Sequence, residues 1–162
     1  MCNRCSCSNH LIIKTPILIS NKIYQLLPFD QFHPLALNRI VPVIGLAQSL
    51  NWLDESQYKE SSIASVDMLA RYHDIDYVEA VLSAENNRCI PVTLGKRYNL
   101  GRHGNSYFSK MFTRPATTAG ASILAGQLLA HHEEGIIFSL AGGNHHAKKN
   151  QASGFCIFND PV

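Results

Sequence analysis

The sequence predicts an α/β domain built on a parallel sheet, and three features of its last third carry this prediction. Residues 117–132 have helical character, a Glu134-Gly135 turn follows them, and residues 136–141 (Ile-Ile-Phe-Ser-Leu-Ala) are apolar without alternation. A helix, a tight glycine turn and a continuously apolar strand are typical of an α/β unit whose strand is covered on both faces. We therefore expect a buried parallel strand over roughly Ile136–Leu140.

The size and composition of the chain fit one packed domain or a part of a larger one. The chain has 162 residues, of which 46% are hydrophobic, so a core is feasible and disorder is excluded as the main state. The net charge is +2 without a long run of either sign, which argues against direct nucleic-acid binding. Since no run of about 18 apolar residues is free of charge, no membrane span is expected.

The first 14 residues are expected to form a disordered tail, and the domain is expected to occupy residues 15–162. Structural zinc sites pair two ligand groups across a loop, and no second group follows here, so we prefer a tail to a zinc site. The odd number of cysteines does not fit a secreted disulfide framework, and no export signal is found, so we expect residence in the cytoplasm. The tail contains three of the five cysteines and a histidine: Cys2, Cys5, Cys7 and His10.

A strand and a helix are predicted in the first third of the chain. The run Ile17-Leu18-Ile19 indicates a strand. Apolar residues at helical spacing indicate a helix over Leu35–Leu53, which Pro42 is expected to kink or to delay.

Two short helices and a long loop are predicted next. The helices are expected over Ser65–Tyr72 and Asp76–Ala84, with N-caps at Ser65 and at Asp74 or Asp76. Residues 86–113 contain three glycines and show no periodicity, so we expect a long functional loop there. The helix over 117–132 contains interior glycines, each of which costs about 1 kcal/mol relative to alanine, and this indicates close packing against another element.

Two adjacent histidines follow the apolar strand and form the candidate site. The strand ends in the segment Gly142-Gly143-Asn144-His145-His146. Ligands of open α/β sheets bind outside the carboxyl ends of the strands, and the two glycines deliver His145 and His146 to that edge. A lone histidine is more often a packed or surface residue, but this placement favours a site. The pair His131-His132 ends a helix, where imidazolium complements the helix dipole, and is interpreted as structural.

The last residues contain a helix-start signal. Asn159-Asp160-Pro161 offers an N-cap followed by proline at the first helical position, and the sequence ends at Val162. A complete domain rarely ends on such a signal, so we expect a truncated domain.

Several of these segments together resemble the histone deacetylase superfamily, which includes acetylpolyamine amidohydrolases and acetoin-utilisation proteins. Segments 141–147 (Ala-Gly-Gly-Asn-His-His-Ala) and 152–160 (Ala-Ser-Gly-Phe-Cys-Ile-Phe-Asn-Asp) carry the resemblance, and segments 33–39 and 69–78 match earlier motifs in the correct order. The resemblance covers about residues 15–162. It implies the N-terminal part of an arginase/deacetylase-type α/β domain, with helices on a parallel sheet.

The resemblance also implies an activity and a cofactor. Members hydrolyse an acetyl-lysine or acetylated-amine amide with water that zinc, or another divalent metal, activates. The family's metal ligands and catalytic tyrosine belong to segments that would follow residue 162, so no residue of this chain is assigned as a metal ligand.

The implied site residues lie in three places. His146 is implied as the base and acid, with His145 as its electrostatic partner. Gly143 and Gly154 would border the substrate, and Phe155 would line a narrow tunnel around its aliphatic stem. One further residue, Arg39, would line an inner channel for acetate.

Three hypotheses for the chain remain open. The first is a metal-dependent deacetylase whose partners are acetylated substrates rather than nucleic acid or a membrane. The second is a catalytically inactive truncated fragment that at most binds a partner. The third is an unrelated α/β protein with an incidental histidine pair. The identity of the substrate, the metal and the oligomeric state stay open as well.

Overall fold

A computed structural model of the chain describes residues 15–26, 38–132 and 134–162. The predicted tail and the start of the predicted helix over Leu35–Leu53 lie outside these residues. Within them, the strands are β1 (Ile17–Ser20), β2 (Tyr58–Glu60) and β3 (Ile137–Ser139). The α-helices are α1 (Ile40–Ser49), α2 (Val66–Leu69), α3 (Ile75–Asn87), α4 (Val92–Tyr98) and α5 (Thr113–Ala130), and short 3-10 helices span Lys22–Gln25 and Glu55–Gln57.

The three strands form a parallel sheet, as the sequence predicts. Their order is β2-β1-β3, and both pairings of the central strand β1 are parallel. Leu18 of β1 lies opposite Tyr58 of β2 and opposite Phe138 of β3. All three strands therefore end at the same edge of the sheet, and α1 to α5 lie in the connections between them.

Strand β3 is parallel but not buried, so that part of the prediction is wrong. Phe138 is 56% exposed and Ile136, just before the strand, is 65% exposed. Within the described residues, β3 pairs with β1 alone and packs against α5. The opposite face, which carries Phe138, has no comparable cover there, so a continuously apolar run ends up half-exposed.

Helix α1 begins late, as the proline predicts. The described part starts at Ile40, which places Pro42 in the first turn, where a missing N–H removes no helical hydrogen bond. No residue of α1 is buried, and Leu46 is 59% exposed.

The predicted loop over residues 86–113 is wrong, because it contains the end of α3 and all of α4. The glycines of this stretch favour a loop when only the sequence is considered. In the structure Gly95 lies inside α4, and a Cβ there would be 2.9 Å from the carbonyl oxygen of Leu100. The glycine thus permits the chain to turn back closely against the helix. The predicted N-cap Ser65 is confirmed, since its side chain accepts the N–H of Met68 at 3.2 Å.

Helix α5 starts earlier than predicted, because a side chain from α3 caps it. The carboxylate of Glu85 accepts the backbone N–H groups of Phe112 and Thr113 at 2.7 and 2.9 Å. Close packing is confirmed at Gly120, where a Cβ would overlap the carbonyl oxygen of Ser62. It is not found at Gly126, which has nothing within 4 Å.

The main core lies between α3, α5 and the segment that follows the histidine pair. The hydroxyl of Tyr77 donates to the carbonyl oxygen of Ile157 at 2.6 Å, and burial raises the pKa of Tyr77. The segment after His146 is therefore fixed to a helical layer. No helix among the described residues is both long enough and apolar enough to cross a membrane. The largest core side chains include Tyr77, Val78, Val81, Leu100, Met111 and Phe158.

Candidate active site

The two predicted histidines lie beyond the carboxyl end of β3, at the edge where the sequence predicts a site. The ring centroids of His145 and His146 are 4.2 Å apart with an interplanar angle of 41°, and both residues are exposed. Nδ1 of His145 lies 2.9 Å from the carbonyl oxygen of Gly143, which itself has a φ of +94°. A backbone of that sign favours glycine, so Gly143 permits the turn that presents the pair.

Asp160 holds the backbone just before the histidines. One carboxylate oxygen accepts the N–H of Gly143 at 3.0 Å and the hydroxyl of Ser122 on α5 at 2.8 Å. The other accepts the backbone N–H of Asn144 at 2.6 Å and its side-chain amide at 2.9 Å. The sequence predicts Asp160 as part of a helix start, but here its carboxylate satisfies the N–H groups of a loop.

Asn159 holds the backbone on the other side. Its side-chain amide donates to the carbonyl oxygens of His145 at 3.2 Å and Ala147 at 2.9 Å. These two carbonyls flank His146. Asn159 and Asp160 therefore form hydrogen bonds to the loop on both sides of the histidine pair.

A buried histidine from the turn before α3 supports the same region. His73 is 2% exposed, and its Nε2 accepts the backbone N–H of Asn159 at 3.0 Å. Because an amide N–H can only donate, Nε2 carries no proton and Nδ1 carries it. Nδ1 then donates to the carbonyl oxygen of Lys149 at 3.0 Å. Burial lowers the pKa of His73, which favours this neutral form.

The predicted substrate-binding residues Gly154 and Phe155 form a turn against the pair. Gly154 has a φ of +54°, and a Cβ there would be 2.8 Å from Cβ and Cγ of His146. Phe155 has a φ of +67° and donates its N–H to the side-chain oxygen of Asn105 at 3.0 Å. The Phe155 ring lies against Gly104, where a Cβ would be 2.7 Å from it.

A cavity of about 230 Å³ lies beside this turn. Two of the predicted site residues, Phe155 and Arg39, contribute to its lining, as does Asn144 from the histidine loop. The rings of His145 and His146 do not line it. The other lining residues are Tyr24, Asn38, Ile40, Phe108, Arg114, Pro115, Thr118, Leu140, Ala141 and Ile157.

Arg114 of α5 adds a second guanidinium to the cavity wall and is fixed there. It donates to the carbonyl oxygens of Ile23 and Leu26, each at 3.1 Å. Its guanidinium carbon also lies 4.9 Å from the ring centroid of Tyr24. Burial lowers the pKa of Arg114, while the nearby Tyr24 acts in the opposite direction.

The part of the chain that the structure describes contains no group of three or more His, Cys, Asp or Glu side chains that could hold a metal ion. The residues near His145 and His146 therefore do not fit a zinc site by themselves. Cys2, Cys5 and Cys7 lie outside the described ranges.

Sequence reasoning missed His73, Asn159 and Asp160 as parts of the site. The pattern Asn-Asp-Pro predicts a helix start at Asn159 and Asp160, since it is a common signal of one. His73 lies within segment 69–78, which carries part of the resemblance, but nothing in that segment shows which groups its ring contacts. Their roles depend on contacts across 86, 14 and 16 positions of the chain, which no local pattern contains.

The fold and this site define an α/β protein with a histidine pair at the carboxyl edge of a parallel sheet. The histone deacetylase domain family matches residues 33–162 of the chain. This match spans most of the sequence, so the chain belongs to the histone deacetylase family.

Curated relatives agree with this assignment. The chain is 35% identical over 147 residues to the acetoin utilization protein AcuC of Staphylococcus aureus (strain MSSA476), covering 91% of this chain and 37% of the relative. It is 28% identical over 148 residues to AcuC of Bacillus subtilis (strain 168), covering 91% of this chain and 38% of the relative. Histone deacetylase 1 of Oryza sativa subsp. japonica is 33% identical over 135 residues, 83% of this chain and 26% of the relative.

Solved structures agree as well. A crystal structure of a homologue of histone deacetylase in complex with SAHA superposes with a TM-score of 0.84 at 30% identity, covering 91% of this chain and 39% of that one. A homologue from Aquifex aeolicus gives a TM-score of 0.83 at the same identity and coverage. The predicted arginase/deacetylase-type fold is confirmed, and the chain spans well under half the length of the first curated relatives it matches.

Proposed function

We propose that this chain is the part of a deacetylase domain that carries the acid/base histidine pair and one wall of the substrate tunnel. The observation that carries the proposal is the adjacent, exposed pair His145-His146 beyond the carboxyl end of β3, in a chain of the histone deacetylase family. The reaction is hydrolysis of the amide in an acetylated lysine or another acetylated amine.

Amide hydrolysis requires a base for the attacking water and an acid for the leaving amine. His146 takes both roles in the proposal, and His145 is its electrostatic partner. The contact of His145 Nδ1 with the carbonyl oxygen of Gly143 favours a proton on that nitrogen and leaves Nε2 free to accept one. The exposure of both rings leaves them open to water and to a substrate amide.

The substrate stem is assigned to the Phe155 side of the site. Phe155 is 41% exposed and lines the cavity, so its ring offers an apolar wall to a methylene chain. Gly143 and Gly154 keep the adjoining backbone free of side chains. Arg39, on the wall of the same cavity, supplies a cation for acetate.

Members of this family generally use zinc, which activates the attacking water. The described residues supply no ligand set for it. The second candidate function is a catalytically inactive chain that binds a partner. We also propose residence in the cytoplasm, because the odd number of cysteines does not fit a secreted disulfide framework.

The test is an activity assay of the full-length gene product. We expect release of acetate from acetyl-lysine peptides or from acetylpolyamines, and loss of that release in the double variant His145→Ala/His146→Ala. The matched control is His131→Ala/His132→Ala, which removes the pair at the C-terminus of α5 and is expected to keep most of the activity. Absence of hydrolysis with either substrate class would favour the binding function instead.

A further inference from the structure

We propose that Asn159 and Asp160 are the positioning residues of the histidine pair. Their side chains form hydrogen bonds to the backbone of the loop that carries His145 and His146, on both sides of the pair. These bonds set the position of the two rings. The proposal rests on the proposed acid/base function of the pair.

Asp160 binds the loop on the N-terminal side of the histidine pair. Its carboxylate accepts two consecutive backbone N–H groups, those of Gly143 and Asn144, and also the side-chain amide of Asn144. The hydroxyl of Ser122 anchors the same carboxylate to α5 at 2.8 Å. Charge-assisted hydrogen bonds of this kind are stronger than neutral ones, so Asp160 ties the loop firmly to the helix.

Asn159 binds the loop toward the C-terminal side of the histidine pair. Its side-chain amide donates to the carbonyl oxygens of His145 and Ala147, and its own backbone N–H is taken by the buried ring of His73. Asn159 therefore connects the backbone on both sides of His146 to the turn before α3.

The exposed rings depend on this hold for their orientation. His145 contacts the carbonyl oxygen of Gly143 within its own loop, and His146 packs against Gly154. The contact of His145 moves with the loop and that of His146 reaches only the neighbouring turn, whereas the bonds of Asn159 and Asp160 lead to the turn before α3 and to α5. Since a misplacement of about 1 Å can cost about 10²-fold in rate, the hold on the backbone bears directly on turnover.

Gly142 leaves space for the carboxylate of Asp160 beside the loop. A Cβ at Gly142 would lie 3.1 Å from a carboxylate oxygen of Asp160, which is tighter than most contacts of that atom. The glycine thus permits the carboxylate to approach the loop backbone, and the two glycines of the motif have separate uses. Gly142 admits Asp160, and Gly143 makes the turn.

The test uses the full-length gene product with an acetyl-lysine peptide as substrate. The two isosteric variants are Asp160→Asn, which replaces an acceptor by a donor opposite the N–H of Gly143, and Asn159→Asp, which does the reverse opposite two carbonyls. The matched controls are Asp76→Asn and Asn87→Asp, which make the same chemical changes at exposed positions on α3.

We expect each test variant to lower kcat by about tenfold or more, with KM changed by less than about twofold, and to shift the pH profile of kcat. A residue needed only for folding would lower the melting temperature without shifting that profile. Amide exchange at Gly143 and Asn144 should quicken in Asp160→Asn. A milder third variant, Ser122→Ala, removes only the anchor to α5 and should lower kcat by about threefold.

Three outcomes overturn one proposal or the other. If kcat and its pH profile in all three variants match the controls, while His146→Ala abolishes turnover, the positioning role is wrong. The same conclusion follows if the loss of kcat only tracks the loss of melting temperature. If His146→Ala itself keeps its turnover, the proposed function is wrong, whatever the positioning variants do.

Discussion

The Nε2 atom of His73 accepts the backbone N–H of Asn159 at 3.0 Å, and the other nitrogen of the same ring lies 3.0 Å from the carbonyl oxygen of Lys149. One buried, neutral imidazole thus ties together the two ends of residues 149–159, the segment that contains Phe155. Protonation would place an N–H on Nε2, facing the N–H of Asn159. The two hydrogen bonds of His73 therefore exist together only while the ring is neutral.

Because these two hydrogen bonds need a neutral His73, we expect the free energy of unfolding to fall in mild acid. Burial lowers the folded-state pKa of His73 below its ordinary value of 6.5, so the unfolded chain takes up the proton more readily. Stability from this group is full above pH 6.5 and is lost as the pH falls from there toward the folded-state pKa. The slope is at most about 1.4 kcal/mol per pH unit, which is the limit for one proton.

The measurement is urea unfolding at several pH values in the wild type and in His73→Asn. The groups packed around the ring are the aromatic residues Tyr72, Tyr77 and Phe158 and the ion pair of Asp74 with Lys149. The variant should be less stable at neutral pH and show a flatter pH dependence. His103→Asn is the control, since His103 is exposed with a φ of +47°, a conformation that asparagine tolerates. An equal pH dependence in wild type and His73→Asn would contradict the account.

A pair of glycine substitutions should have opposite effects on stability. Gly154→Ala places a Cβ 2.8 Å from Cβ and Cγ of His146, at a φ of +54°, so we expect a loss of about 1–3 kcal/mol and reduced turnover. Gly126→Ala meets nothing within 4 Å inside α5 and should stabilise the protein by about 0.5–1 kcal/mol. Thermal unfolding of both variants checks the signs, and a neutral Gly154→Ala would show that the turn is not packed against His146.

The exposed face of β3 should bind apolar dyes and promote aggregation of the 162-residue chain. Phe138→Thr keeps a residue that favours strands and removes the 56% exposed ring, so dye binding and aggregation should fall. The free energy of unfolding should change by less than about 0.5 kcal/mol. Val92→Thr, on the surface of α4, is the control and should change neither dye binding nor aggregation. Unchanged dye fluorescence in Phe138→Thr would mean that the face of β3 is covered in solution.

Local patterns were sufficient for β1 and β3, the cap at Ser65, the delayed start of α1 and the position of the histidine pair, but they did not indicate β2 (Tyr58–Glu60). They failed at Gly95, because a glycine that admits a carbonyl oxygen from another turn looks the same in sequence as a glycine in a loop. They also failed at Asp160. A carboxylate that accepts backbone N–H groups suits the start of a helix and the loop at Gly143 and Asn144 equally well. The partners of Asp160 are 16 to 38 positions away in the sequence, whereas the partner of Gly95 is close in sequence but meets it only because the chain turns back after α4.

The central claim is that His146 is the acid/base group of a deacetylase. The most direct measurement is kcat together with metal content in the full-length gene product and its His146→Ala variant. We expect kcat to fall by about 10²–10⁴-fold, the usual contribution of general acid–base catalysis, with the metal content unchanged. Turnover close to that of the wild type, or loss of the metal along with the histidine, would contradict the account.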